Sequence, residues 1–88
     1  MIITKLNLDK YTDEEQLDKM LEEWLEVRDA TNKKEKIEES LDLIIATFNY
    51  LFKISDKDEI QKVYKEIVKK LEDRNKEGRI KIQEYIEI

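Results

Sequence analysis

The chain contains one long amphipathic stretch, KEKIEESLDLIIATFNYLFK, at residues 34–53. Its apolar side chains recur three or four residues apart, which is the spacing of one face of an α-helix. They are Ile37, Leu41, Ile44, Ile45, Phe48, Leu51 and Phe52. A stripe this wide is typical of a helix that is covered on more than one side. The stretch therefore predicts a long helix that packs against neighbours.

A first helix is predicted before this stretch, from about Asp13 to Ala30. Thr12 and Glu15 have the spacing of a capping box, in which the two residues satisfy each other's backbone N–H groups at a helix start. Apolar residues again recur at helical spacing, at Leu17, Met20, Leu21, Trp24, Leu25 and Val27. Because Trp24 lies on this stripe, we assign it to packing rather than to stacking on a ligand.

A third helix is predicted to begin near Ser55 and to end near Lys76, where Gly78 supplies a left-handed residue after the last turn. The expected buried stripe of this helix consists of Ile60, Val63, Tyr64, Ile67, Val68 and Leu71. Residues 1–11 are expected to form an extended arm. The tail, residues 80–88, fits either a short strand or a docking turn.

The predicted fold is all-α: one domain of 88 residues that forms a three-helix antiparallel bundle. Short connections favour antiparallel neighbours. A chain of this length buries only about 60–65% of its unfolded surface, so its apolar stripes exceed what one copy covers. We expect homo-oligomerisation to complete the bundle, as a homodimer or homotetramer.

Composition excludes several classes of function. The chain has no cysteine and no histidine, which excludes disulfides, thiolate nucleophiles, a histidine base and a typical zinc site. The formal net charge is −5, and duplex nucleic acid is an unsuitable partner for an acidic surface. No apolar run approaches the ~20 residues of a membrane span, and the start does not have the order of a signal peptide. These features predict a cytoplasmic protein without a membrane partner.

Acidic residues recur three apart on the first two predicted helices, as Glu23 with Glu26 and as Glu39 with Asp42. Residues at this spacing share a helix face, so antiparallel packing would bring four carboxylates to one place. Such crowding raises carboxylate pKa values unless a cation is present. Mg²⁺, or alternatively Mn²⁺, suits a set of oxygen ligands.

A solvated acidic face is the alternative interpretation, because acidic pairs three apart arise by chance in a chain that is 44% charged. Asp42 argues against it. This residue lies between Leu41 and the apolar run at residues 43–46, where an unpaired carboxylate is costly.

The sequence EEWLE at residues 22–26, followed after residues 27–38 by ESLD at residues 39–42, resembles the EExxE…ExxD signature of all-α nucleoside triphosphate pyrophosphohydrolases. Residues 38–51 are especially similar to the second helix of small MazG-like proteins in this superfamily. The resemblance covers residues 13–79 approximately.

The resemblance implies a Mg²⁺-dependent hydrolase that cleaves a nucleoside triphosphate to the monophosphate and pyrophosphate. It implies that Glu23, Glu26, Glu39 and Asp42 are metal ligands. Glu22 would assist proton transfer or orient the attacking water, and Glu22 and Glu23 are the expected catalytic acids.

Basic residues near the end of the third helix resemble the phosphate-binding end of the same helix in MazG-like proteins. The expected phosphate ligands are Lys70, Arg74 and Arg79. Alternatively, these cations only complement the helix dipole. Asn49 lies two turns beyond Asp42 on the same face and is the expected contact to a base or sugar.

Two rival interpretations remain. The chain is alternatively a non-catalytic helical interaction or regulatory protein whose acids are solvated, or an inactive homologue that keeps the fold.

Overall fold

A computed structural model describes residues 2–88 and contains three helices: α1 (Asp13–Asp29), α2 (Lys33–Ile54) and α3 (Lys57–Lys76). No strand occurs among residues 2–88, so the tail after α3 has no regular structure. This confirms the all-α prediction and the approximate bounds of all three helices. None of the helices in the described part of the chain is long and apolar enough to cross a membrane.

The described chain divides into two compact units, residues 2–56 and residues 57–88. The first unit contains the N-terminal arm, α1 and α2. The second contains α3 and the tail. Each unit is described separately below.

The start of α1 is fixed by the predicted capping box. The Glu15 backbone N–H donates to Thr12 Oγ1 and the Thr12 N–H donates to Glu15 Oε1, both at 3.1 Å. Acidic side chains at Asp13, Glu14 and Glu15 also complement the positive end of the helix dipole. Two N–H groups that a helix start leaves without partners are thereby satisfied.

The connection between α1 and α2 is short, and Asn32 caps the second helix by accepting a 2.9 Å hydrogen bond from the Glu35 N–H. The two helices pack antiparallel. Gln16, near the start of α1, donates from Nε2 to the carbonyl oxygen of Ala46, late in α2, at 3.2 Å. About two turns of α2 before Ala46, Glu39 lies beside the second half of α1.

The centre of the first unit is mainly polar, which the apolar pattern did not predict. Its buried residues are Gln16, Glu23, Ala46 and Asn49, of which only Ala46 is apolar. Half of the apolar stripe of α1 is instead exposed: Leu17, Leu21 and Trp24 keep 43%, 56% and 49% of their surface. The packing role predicted for Trp24 is therefore wrong within one copy of the chain; its ring lies 5.7 Å from the Arg28 guanidinium.

The N-terminal arm is held against α2 by Asn49, which is 2% exposed. Asn49 Oδ1 accepts from the Leu6 N–H at 2.7 Å, and Asn49 Nδ2 donates to the Thr4 carbonyl at 3.1 Å and to the Ile45 carbonyl at 2.9 Å. Lys53 Nζ adds a 3.4 Å bond to the Leu8 carbonyl. These bonds pair the backbone of an arm that belongs to no sheet.

In the second unit, α3 ends in the left-handed residue that the sequence predicts. Gly78 has φ = +77°, and its N–H bonds the Asn75 carbonyl while the Arg79 N–H bonds the Arg74 carbonyl at 2.9 Å. This pair of bonds is the Schellman arrangement. The tail then turns back, since the Ile82 N–H donates to Asn75 Oδ1 at 3.0 Å.

The buried stripe predicted for α3 is wrong within one copy of the chain, because no residue of this helix is buried. Val63, Tyr64, Ile67 and Leu71 keep between 40% and 65% of their surface. The helical spacing of these residues is as predicted, but their own unit does not bury them.

Replacing Asn49 with alanine is expected to release the arm. The substitution removes three hydrogen bonds, two of which join the arm to α2, so we expect the free energy of unfolding to fall by about 2 kcal/mol. Amide hydrogen exchange at Leu6 should become fast. Thr47→Ala is the matched control on the same helix, because Thr47 Oγ1 bonds only within α2, to the Leu43 carbonyl. Slow exchange at Leu6 in Asn49→Ala would contradict the anchoring role.

Candidate functional site

Three carboxylates meet where α1 lies beside α2. Glu23 and Glu26 of α1 and Glu39 of α2 each place one oxygen so that the three atoms lie within 4.8 Å of one another. The spacing of three residues puts the two α1 side chains on one face, and antiparallel packing brings the third opposite. We call Glu23, Glu26 and Glu39 the acidic cluster.

Glu23 is the buried member of the acidic cluster, with 9% of its surface exposed. Its Oε1 lies 3.1 Å from Lys19 Nζ. Its Oε2 is buried and has no hydrogen-bond partner. A buried carboxylate oxygen without a partner is costly, and this cost is what a bound cation or a donor from a ligand would remove.

Glu26 is the exposed member of the acidic cluster. The Glu39 carboxyl, within hydrogen-bonding reach, and then Glu23 raise the pKa of Glu26 to about 6. The cause is that the neighbouring acids favour the protonated form of Glu26. At neutral pH, Glu26 is ionised in the presence of these acids, and the resulting repulsion opposes folding.

Lys19 supplies the positive charge nearest to this repulsion, and the sequence reasoning missed it. Besides its contact with Glu23, Lys19 Nζ lies 3.6 Å from Glu22 Oε2. The hydrogen bond to Glu23 is the main cause that raises the pKa of Lys19. The available signal was its position, three and four residues before the two acids on one helix. Gln16 was also missed, since its burial has no sequence signal.

A cavity of about 750 Å³ adjoins the acidic cluster through Glu23. It is lined by three segments of the first unit. The arm contributes Leu6, Leu8 and Tyr11, α1 contributes Glu15, Gln16, Asp18, Lys19, Glu22 and Glu23, and α2 contributes Asp42, Ile45, Ala46 and Asn49. The cavity therefore has apolar walls at the arm and at part of α2, and a strongly acidic wall at α1.

Asp42 and Glu22 line this cavity rather than joining the three converging oxygens. The position of Asp42 before an apolar run predicted that its carboxylate would be desolvated. Asp42 is instead exposed, so this prediction is wrong. The four-carboxylate site of the sequence analysis is thus a cluster of three with Asp42 on the neighbouring cavity wall. Glu22 is also exposed, with 66% of its side-chain surface accessible.

Asn49 reaches the cavity, but its amide already has protein partners. Both Nδ2 hydrogens bond carbonyl groups and Oδ1 accepts the Leu6 N–H. An amide oxygen has two lone pairs, so one acceptor position at Oδ1 is left for a ligand. The contact to a base or sugar stays a prediction, limited to that position.

The predicted phosphate ligands all belong to the second unit. Lys70 and Arg74 lie on α3 and are exposed. Arg79 follows Gly78 and its Nη1 lies 3.7 Å from Glu77 Oε2. Arg74 lies in the last turn of α3, where a cation complements the helix dipole. Their role toward phosphate stays a prediction.

The donor set of the acidic cluster fits a hard divalent cation. Carboxylate oxygens are the ligands that Mg²⁺ and Mn²⁺ prefer. The unpartnered Glu23 Oε2 is a group that such an ion would satisfy, and exposure of Glu26 leaves room for water on the outer side. The residues present therefore fit the ion that the sequence analysis expects.

No family model, curated protein or solved structure matches the chain.

Glu26→Gln should stabilise the cation-free protein at neutral pH. Because the native pKa of Glu26, about 6, lies above its ordinary value of 4.5, the native state binds more protons than the unfolded state between these values. The free energy of unfolding therefore falls as pH rises through this window. In EDTA, Tm of Glu26→Gln should exceed that of the wild type at pH 7, and the difference should vanish towards pH 4.

Glu38→Gln is the control for this measurement, since it makes the same charge change on α2 at a pair that is exposed on both sides, Glu38 and Lys34. Its Tm should change little at any pH. A Glu26→Gln variant with the same Tm profile as Glu38→Gln would mean that crowding in the acidic cluster does not oppose folding.

Proposed function

We propose that this chain is a Mg²⁺-dependent nucleoside triphosphate pyrophosphohydrolase that releases a nucleoside monophosphate and pyrophosphate. The observation that carries the proposal is the buried Glu23 carboxylate, with one oxygen unpartnered, beside Glu26 and Glu39. The EExxE…ExxD pattern supports the choice of reaction, and the cavity next to Glu23 supports a small-molecule substrate.

The acidic cluster would hold the cation, with Asp42 joining from the cavity wall as the family pattern implies. A bound divalent ion neutralises phosphate charge and lowers the pKa of a coordinated water. In the reaction, a water oxygen bonds to the α-phosphorus and the bond to the β-phosphate oxygen breaks, so pyrophosphate is the leaving group.

The acids of α1 have distinct parts in this proposal. Glu23 is fixed by burial and by Lys19, so its unpartnered oxygen would serve as a ligand of the cation. Glu22 lines the cavity and is exposed, and it is the residue proposed to take a proton from the attacking water. The apolar wall formed by Leu6, Leu8 and Ile45 suits a nucleoside.

The other residues proposed to contact the substrate are those that the sequence predicts. Lys70, Arg74 and Arg79 are proposed to bind phosphate, and Asn49 is proposed to contact the base or sugar through Oδ1. The support for the first three is their charge and, for the two arginines, a planar fork that matches phosphate oxygens.

Self-association into a homodimer or homotetramer completes the proposal. Exposed apolar side chains on α1 and α3 support it: Leu21, Trp24 and Tyr64 keep 56%, 49% and 65% of their surface. Obligate oligomers cover such faces with a second copy.

The same exposed faces favour a second candidate function, that of a helical interaction or regulatory protein without catalysis. Large apolar patches on a soluble chain mark interaction sites. In this alternative the acidic cluster is solvated and binds no cation.

Thermal melts with Mg²⁺ and with EDTA test the cation site directly. A ligand that binds only the native state raises its stability, so Mg²⁺ at millimolar concentration should raise Tm of the wild type. Glu39→Gln should abolish the shift because it replaces the one carboxylate that α2 contributes to the acidic cluster with a neutral amide. Glu38→Gln, the adjacent and exposed acid, should keep the shift.

Pyrophosphate release over a panel of canonical and modified nucleoside triphosphates tests the reaction. Asp42→Asn should abolish turnover and leave the helical circular-dichroism signal intact. A melt that is indifferent to Mg²⁺ would refute the cation site. A Mg²⁺ shift without turnover on any nucleotide would favour the inactive homologue, and full activity of Asp42→Asn would refute its assignment as a ligand.

A further inference from the structure

The cavity beside the acidic cluster presents an electrostatic difficulty for a phosphorylated substrate. Its described lining contains five acidic residues and one basic residue, Lys19; the acids are Glu15, Asp18, Glu22, Glu23 and Asp42. A triphosphate carries several negative charges, and repulsion from this wall would oppose its entry. A cation bound in the cluster reduces the repulsion only near Glu23, so a positive group in the cavity wall would further favour binding of the phosphates.

Lys19 has the geometry to be that group. Its Nζ lies 3.1 Å from Glu23 Oε1 and 3.6 Å from Glu22 Oε2. An ammonium group carries three hydrogens, and these two acids take at most two of them. The side chain keeps 52% of its surface exposed and lines the cavity, so its third hydrogen is available to a ligand there.

The position of Lys19 is set by Glu23 and not by helix preference. On an isolated helix, the order lysine before glutamate at i,i+4 is the weaker orientation of such a pair. Here the partner carboxylate is 9% exposed, and a hydrogen bond to a desolvated charged group is stronger than one in water. Lys19 Nζ is thus held beside the buried carboxylate.

We propose that Lys19 binds a phosphate oxygen of the nucleotide in this cavity while it holds Glu23 through Oε1, so that one ammonium joins the acidic cluster to the substrate. The proposal rests on the cation site proposed above, and it adds a phosphate ligand from the same unit as the acids. The ligand it recognises is a di- or triphosphate chain with Mg²⁺, because the phosphate next to the cluster must satisfy the ion and Lys19 together.

Calorimetric titration of pyrophosphate tests this inference without turnover. Mg²⁺ affinity is measured first for the wild type, Lys19→Met and Lys19→Gln, and pyrophosphate is then titrated at Mg²⁺ concentrations that saturate each protein. Loss of one charged hydrogen bond should weaken pyrophosphate binding by about tenfold in both variants. Both should fold, since Lys19 is half exposed, and circular dichroism checks this.

Lys34→Met is the matched control. It removes one positive charge from a lysine that pairs with a glutamate four residues later, at 3.8 Å, but Lys34 does not line the cavity. Its pyrophosphate affinity should equal that of the wild type. A tenfold loss in Lys34→Met as well would show that net charge, and not contact with Lys19, governs binding, and it would overturn the inference.

The remaining outcomes separate this inference from the proposed function. If the wild type binds Mg²⁺ and both Lys19 variants bind pyrophosphate as tightly as the wild type, the inference is wrong and the proposed function survives. If the Lys19 variants lose Mg²⁺ binding altogether, Lys19 acts on Glu23 alone and the phosphate contact is overturned. If the wild type binds no Mg²⁺, the proposed function fails, and the inference fails with it.

Discussion

A carboxylate lies in the contact between two helices, and the rest of the first unit is arranged around it. Glu23 is 9% exposed, one of its oxygens is paired with Lys19, and the other has no partner. A group of this kind destabilises a fold unless a cation or a ligand compensates for its lost hydration. Neighbouring acids add repulsion, as the raised pKa of Glu26 indicates. Side chains that destabilise the fold where they lie, as these acids do, are typical of functional sites.

The fold tolerates these acids because its other polar contacts are well satisfied. Gln16 ties α1 to the backbone of α2, and the capping box and the Asn32 cap satisfy the N-termini of both helices. These bonds place the helices independently of the acidic cluster. Most of the buried side chains in this unit are polar, since Ala46 is the only buried apolar residue described.

The helix bounds could be predicted from the sequence because the patterns that begin and end a helix involve residues close together in the chain. The Thr12 capping box and the left-handed Gly78 depend on neighbours within a few residues, and both were predicted at the correct positions. The convergence of Glu23, Glu26 and Glu39 was also predictable, since it follows from helical spacing and from one short connection.

Features that depend on distant contacts were not predictable in the same way. An apolar stripe does not reveal what covers it, so the burial expected for Trp24 and for α3 is absent within one copy. Asp42 was expected to be desolvated by its sequence neighbours, but side chains adjacent on a helix point in different directions. Asn49 anchors residues 43 and 45 positions away in the chain, and no local pattern encodes such a pairing.

The anchoring of the arm has an evolutionary consequence. Asn49 recognises main-chain atoms of Thr4 and Leu6, and every residue type except proline offers the same carbonyl and N–H groups. Side chains in this segment can therefore diversify without undocking it, and Leu6 is part of the cavity wall. With the Asn49 amide kept, substitutions in a few N-terminal codons would then reshape the pocket while both helices stay unchanged.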